Sequence, residues 1–263
     1  YKSEKDIQPQ LLKLQREKYS NKKLIVGEID INQVRTLDYS LEGFLPAGEV
    51  VHLFSPWGCG KTSVSLGMIR ALAEGTGFLD QEKGLKPRKS LFLQADSSSS
   101  RFKATYEELG MYEDPRFRKG TPEQMLHIIG ADMDQGTESW SATVLGIEKL
   151  IRYIIRFEID GAVFIDSVKG MMEGTGLDYA NNEHVKAICK TLLVIADMFK
   201  ISIVLINHKG TDKQEGSGAK AWSEGTGMVI ELREVDKKNP KKSKNGEEPE
   251  EVPDCRELLI RKD

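Results

Sequence analysis

The chain alternates between short apolar runs and longer stretches whose apolar residues recur at helical spacing. Glu49–Phe54 (EVVHLF) reads as a strand, and after a polar turn Val64, Gly67, Met68, Ala71 and Leu72 line one face of a helix that Gly75 and Gly77 close. Further apolar strands are expected at Leu91–Leu93, Leu126–Ile129, Ala162–Ile165 and Ile201–Ile206. The last two each follow a helical pattern, first Trp140, Val144, Ile147, Ile151 and Ile154, then Val185, Ile188, Leu192, Ile195 and Phe199. Strands this continuously apolar need cover on both sides. The pattern therefore predicts an α/β fold, a mainly parallel sheet with helices on both faces.

Met228–Leu232 and Glu257–Ile260 read as a terminal β pair. Between them KKNPKKSKNGEEPEEVP is charged and rich in turn formers, which predicts a flexible excursion near 237–254. Residues 1–30 are highly charged, with one apolar patch at Leu11, Leu12 and Leu14, and read as an arm or linker. One large domain over 31–263 is then the expected organisation.

Composition narrows the class without naming a chemistry. With 38 Lys and Arg against 41 Asp and Glu, the net charge is -3, so a nucleic-acid surface would have to be a local basic patch or a ring lumen. No apolar run is long enough for a bilayer, and no membrane partner is expected. Cys59, Cys189 and Cys255 are few and scattered, which fits a reducing, cytoplasmic setting and offers no zinc cluster.

The chemistry begins at Ser55-Pro-Trp-Gly-Cys-Gly-Lys-Thr62, set between a strand and a helix. Gly58 and Gly60 let the backbone turn its N–H groups inward, the helix start adds the positive end of its dipole, and Lys61 supplies a point charge. This is a phosphate loop, with Ser55, Gly58, Cys59, Gly60, Lys61, Thr62 and Ser63 as the nucleotide contacts. Ser55 replaces the usual first glycine, which requires a negative φ there. Thr62 would place its hydroxyl on Mg²⁺. GAVFID closes an apolar strand on Asp166, the expected Mg²⁺ carboxylate. Two further strands end in polar residues. Asp96 follows LFLQA, precedes a run Ser97–Ser100 that reads as flexible, and is the candidate for orienting or deprotonating the attacking water. Asn207 and His208 close IVLI, where either could report a γ-phosphate. His52, His127 and His184 have no comparable setting and receive no role.

Together these segments resemble the RecA-like core of P-loop ATPases, most closely the hexameric replicative helicase branch of plasmid-type ring helicases and DnaB-like proteins. LEGFLPAGEVVHLFSPWGCGKTS matches the lead-in and phosphate loop, SLFLQADSSSSRF the strand with the catalytic acid, GAVFIDSVKGM the Mg²⁺ strand and ISIVLINHKG the sensor strand. The resemblance implies ATP and Mg²⁺ as cofactors, with Lys61, Asp96 and His208 catalytic and Thr62 and Asp166 holding the metal. Asp96 stands where these ATPases carry the longer Glu. Fingers reaching a neighbour's site would fall among Lys220, Arg256, Arg261 and Lys262. The family works as rings of six, sometimes seven, subunits around single-stranded DNA.

Two Gly-rich segments read as DNA-facing loops, Lys169–Gly176 and Lys209–Lys220, with Lys169, Lys209 and Lys213 as phosphate contacts. The expected function is an ATP-driven, ring-forming translocase or helicase in DNA replication. Two alternatives stand beside it: a nucleotide-gated scaffold or regulator with weak turnover, and a recombination-type filament ATPase.

Overall fold

In the computed structural model the described residues are 38–79, 85–95, 99–130, 140–208, 220–234 and 256–261. The arm over 1–30, the excursion near 237–254 and the side chains of Asp96, Lys209, Lys213 and Lys262 lie outside them.

A short antiparallel hairpin, β1 (Tyr39–Leu41) and β2 (Leu45–Pro46), leads into β3 (Val50–Ser55) and helix α1 (Lys61–Glu74). There follow β4 (Ser90–Gln94), α2 (Ser99–Glu108), β5 (Leu126–Gly130), α3 (Val144–Phe157), β6 (Ala162–Asp166), α4 (Val168–Met172) and α5 (Asn182–Phe199). The described chain ends with β7 (Ser202–His208), α6 (Ala221–Glu224), β8 (Met228–Glu234) and β9 (Arg256–Arg261).

Strands β3 to β9 form one sheet in the order β5-β4-β6-β7-β3-β8-β9, parallel throughout except for the antiparallel β8–β9 pair. Each apolar strand splits its side chains between two cores, as a two-residue period requires. Val50, Leu91, Leu93, Val163, Ile165, Ile203 and Leu205 pack under α3, α4, α5 and α6. Val51, Leu53, Phe92, Phe164, Val204 and Ile206 pack under α1 and the hairpin side. Fully burying one such side chain contributes about 1.5–3 kcal/mol.

The helices start where the sequence supplies caps. Thr143 Oγ1 accepts from Gly146 N–H at 3.1 Å, and Asn181 Oδ1 accepts from Glu183 N–H at 2.9 Å. Gly75, at φ 67°, closes α1 with N–H bonds back to Ala71 and Leu72.

Three features depart from the sequence reading. Lys169–Gly176 is not a loop along its whole length, because its first residues form α4, with Val168, Met171 and Met172 buried. Ser99 and Ser100, expected within a flexible run, begin α2. The β1–β2 hairpin was not anticipated; Leu41, Phe44 and Leu45 bury against the α1 side.

Candidate nucleotide site

The site assembles at the C-terminal edge of the parallel strands, where the order of connections carries β3 away from β7 and β8 into α1. Gly58 and Gly60 hold φ of 83° and 86°, a region that costs any side chain strain. An added Cβ at Gly58 would meet nothing within 4 Å, so backbone conformation rather than space selects glycine there. Gly60 is the N-cap of α1, no side chain caps the helix, and no acidic residue stands in its first turn. The first amides of α1 thus face the loop with the dipole's positive end.

Ser55 fits without the usual glycine. It is the last residue of β3, is not among the positive-φ residues, and is fully buried. Its hydroxyl donates to Pro56 O at 2.8 Å and accepts from Lys61 Nζ at 3.1 Å. The Lys61 ammonium donates further to Ser55 O at 3.3 Å, to Pro56 O at 3.1 Å and to His208 Nδ1 at 3.1 Å. Burial pushes the Lys61 pKa below its ordinary value, while the Asp166 carboxylate opposes the shift. Cys59 turns its thiol into the core, so only its main chain can serve a ligand, whereas Ser63 and Trp57 are exposed.

Thr62 Oγ1 lies 3.5 Å from Asp166 Oδ2. Asp166 ends β6, and the peptide that joins it to Ser167 is cis. Ser167 then caps α4, its Oγ accepting from Gly170 N–H at 3.4 Å. Among the described residues no cluster of three or more His, Cys, Asp or Glu could hold a metal ion. A hydroxyl and one carboxylate suit Mg²⁺, which keeps several waters and shares its remaining positions with phosphate oxygens. The uncapped helix start, the buried ammonium and this oxygen pair fit a nucleotide polyphosphate with its metal.

The structure therefore brings Ser55, Gly58, Cys59, Gly60, Lys61, Thr62, Asp166 and His208 together. Ala95 N–H donates to Asp166 O at 2.6 Å, which holds the end of β4 beside the end of β6; Asp96 is the next residue in the chain. Lys220, the N-cap of α6, pairs with Glu224 at 3.1 Å. Arg256 and Arg261 stand at the two ends of β9, the edge strand two places from β3. Lys169 is exposed on α4.

One polar group at the site escaped the sequence reading. His52, in the middle of β3, is fully buried and hydrogen-bonds both Asn207 and Ser223. The single hint in the sequence is a lone imidazole within the apolar run VVHLF.

A phosphate loop feeding the first helix, a carboxylate at the end of β6 two places away and β7 between them, ending in His208, define a P-loop ATPase of the RecA/AAA+ type. Residues 15–214, most of the chain, match the AAA domain family, and the chain belongs to that family. Over 129 residues, 48% of this chain, it is 30% identical to the RecA protein of Crocosphaera subtropica; the match spans 32% of that relative. A solved KaiC-like protein from the hyperthermophilic archaeon Pyrococcus horikoshii superposes with a TM-score of 0.53, at 16% identity, over 87% of this chain and 88% of that one. At that identity the likeness speaks for the fold. The family match carries the ATPase class, and none of the three names a helicase. No helix among the described residues is long and apolar enough to cross a membrane.

Proposed function

We propose that the chain is a Mg²⁺-dependent ATPase that works as an oligomer on single-stranded DNA, with His208 reading the γ-phosphate. The observation that carries this reading is the 3.1 Å bond between Lys61 Nζ and His208 Nδ1. The lysine that meets the phosphates is bonded to the last residue of β7, and the chain then runs directly into the lysine-bearing segment 209–220. A change of partner at Lys61 is therefore felt at the start of a candidate DNA-binding segment. Lys61 and Thr62 hold phosphate and metal, Asp166 completes the Mg²⁺ site, and Asp96 orients the attacking water. Lys169, Lys209 and Lys213 contact DNA phosphates, and a finger from Lys220, Arg256, Arg261 or Lys262 completes the neighbour's site. A closed hexameric ring is the assembly that the replicative-helicase resemblance names.

The test is ATP hydrolysis with and without single-stranded DNA, beside DNA affinity across a salt series. If about five phosphates are neutralised, log K against log salt has a slope of about -4 to -5. No DNA binding in the presence of ATP, or an affinity indifferent to salt, would sink the DNA-motor reading.

The 129-residue likeness to RecA favours a second reading, a filament-forming ATPase of the recombination type. Electron-microscope images with a non-hydrolysable ATP analogue and a single strand separate a closed ring from an open filament. A nucleotide-binding particle that neither engages DNA nor turns over ATP would instead be a nucleotide-gated scaffold.

A further inference from the structure

Strand β7 ends in two adjacent residues that serve opposite faces of the sheet. Ile203 and Leu205 belong to the core under α3, α4, α5 and α6, so Asn207 continues that face. Val204 and Ile206 belong to the core under α1, so His208 continues the other and meets Lys61 of α1. In the parallel β3–β7 register His52 pairs with Leu205 and Phe54 with Asn207, which places His52 diagonally behind Asn207 on the same face.

The donors and acceptors along this line admit one arrangement. His208 N–H can only donate, so the atom of Asn207 that receives it at 2.8 Å is Oδ1. The Asn207 Nδ2 group is then the donor to His52 Nε2, at 3.4 Å. With Nε2 accepting, the neutral imidazole carries its proton on Nδ1 and donates it to Ser223 Oγ at 3.2 Å. Burial keeps the ring neutral by pushing its pKa down to about 3. Ser223 is itself well anchored. It sits in α6, where Ala221 N–H donates to Asn182 Oδ1 at 3.2 Å and the buried Trp222 donates Nε1–H to Tyr179 O at 3.0 Å.

We propose that His52 is a positioning residue for the phosphate site, joining the Asn207–His208 pair to Ser223 on α6. The line runs from α6 through His52 and Asn207 to the His208 main chain, and through the His208 ring to Lys61. It crosses the sheet from one core to the other through hydrogen bonds joined by the covalent frame of His208. It also ties β7 to α6, the two elements that flank segment 209–219 in the chain. Apolar residues in place of His52 and Ser223 would satisfy packing equally well. A hydrogen-bonded line between fixed points instead holds the sensor imidazole in one position relative to Lys61, which is what discrimination of a terminal phosphate requires.

The proposal rests on the reading of His208 as the sensor, and its test is chosen to separate the two. The readout is the ratio of affinities for a non-hydrolysable ATP analogue and for ADP, both with Mg²⁺, which needs no turnover. His208→Ala should lower that ratio. His52→Phe and Ser223→Ala should each lower it by about threefold or more, the loss of one hydrogen bond's contribution. The His52→Phe/His208→Ala double variant should fall no further than His208→Ala alone, because both act on one line. His52→Gln, which can both donate and accept, should recover part of the ratio. Ser223→Ala removes a single hydroxyl from a half-buried site and keeps the test open if His52→Phe folds poorly. In the wild type, ¹⁵N chemical shifts should show His52 as the Nδ1–H tautomer. An Nε2–H tautomer, additive effects in the double variant, or an unaltered ratio in folded His52→Phe and Ser223→Ala would overturn the proposal while leaving the sensor standing. An unaltered ratio in His208→Ala would remove the sensor reading, and the proposal with it.

Discussion

The Thr62 hydroxyl donates to Oδ2 of Asp166 across 3.5 Å, joining the first turn of α1 to the end of β6. The distance is long for a hydrogen bond between two oxygens, so the contact is weak and a bound cation could draw on both. Mg²⁺ is held by charged carboxylates and hydroxyl or water oxygens, so a neutral amide oxygen is a weaker ligand and a methyl group is none. Thr62→Val and Asp166→Asn should therefore bind nucleotide in EDTA about as the wild type does. The gain in affinity on adding Mg²⁺ should shrink by about tenfold or more, equivalent to ~1.4 kcal/mol. Titration of a fluorescent nucleotide with and without Mg²⁺ measures both. A full Mg²⁺ gain in either variant would take that residue out of the metal site.

Ser55 tests whether the missing first glycine matters. Its side chain is one of four acceptors within reach of the three Lys61 N–H groups, and the other three, Ser55 O, Pro56 O and His208 Nδ1, remain in Ser55→Gly. Each N–H group keeps an acceptor, so the cost stays below the roughly 1.5–3 kcal/mol of a full hydrogen bond from a charged donor. Nucleotide affinity in Ser55→Gly should stay within about tenfold of wild type, whereas Lys61→Ala should lose considerably more. Equilibrium binding of ADP and an ATP analogue distinguishes the two. A Ser55→Gly loss as large as that of Lys61→Ala would show that the hydroxyl has a direct part in holding the ligand.

What the sequence disclosed follows from how local each signal is. The strands at Val50–Ser55, Ala162–Asp166 and Ser202–His208 were readable to within about a residue or two because burial on both faces leaves little but Val, Ile, Leu and Phe there. The phosphate loop was readable because all its parts lie within eight residues, Ser55 to Thr62. Helix α4 was not, since Gly170, Gly174 and Gly176 mark Lys169–Gly176 as a loop. Only the burial of Val168, Met171 and Met172 under the sheet makes its first turn helical. His52 was assigned no role because Ser223 is 171 positions away and Asn207 is 155 away, distances that no periodicity reveals. The sheet order that places β7 between β6 and β3 was equally invisible, and it is what seats His208 against Lys61.

Two buried histidines make stability depend on acid. Burial pushes His52 down to about 3, and burial together with the Lys89 charge pushes His127, stacked 4.1 Å from the Phe157 ring, down to about 4. Both titrate from an ordinary value of 6.5 in the unfolded chain. Below that value the unfolded state binds protons that the folded state refuses, so stability falls as pH drops. The loss from His52 continues to about pH 3 and that from His127 to about pH 4. Each histidine contributes up to ~1.4 kcal/mol per pH unit within its window. Urea unfolding at pH 7.5 and pH 5 should show lower stability at the acid end, and His127→Phe should lessen the drop. An identical drop in His127→Phe would mean that this ring is already solvated or charged in the fold.

The remaining prediction concerns the step that distinguishes a motor from a nucleotide-gated scaffold. Gln94 at the end of β4 is level with Asp166 at the end of β6, and Ala95 N–H bonds to Asp166 O at 2.6 Å. Asp96 is the next residue in the chain and lies outside the described residues. In the proposed role Asp96 would align a water with the terminal phosphate and take up its proton, while Lys61 and a bound Mg²⁺ would balance the charge. Asp96→Asn keeps size and hydrogen bonding but removes the proton acceptor. Nucleotide affinity should remain within a few-fold and turnover should fall by roughly 10²-fold or more, the range of general-base losses. Asp96→Glu separates position from charge. If the backbone is set for the short acid, the extra methylene misplaces the water and turnover falls. If the wild-type carboxylate stops short, turnover rises. Steady-state hydrolysis beside nucleotide binding for both variants answers the question. Unchanged turnover in Asp96→Asn would take Asp96 off the catalytic list and would move the protein toward the scaffold reading.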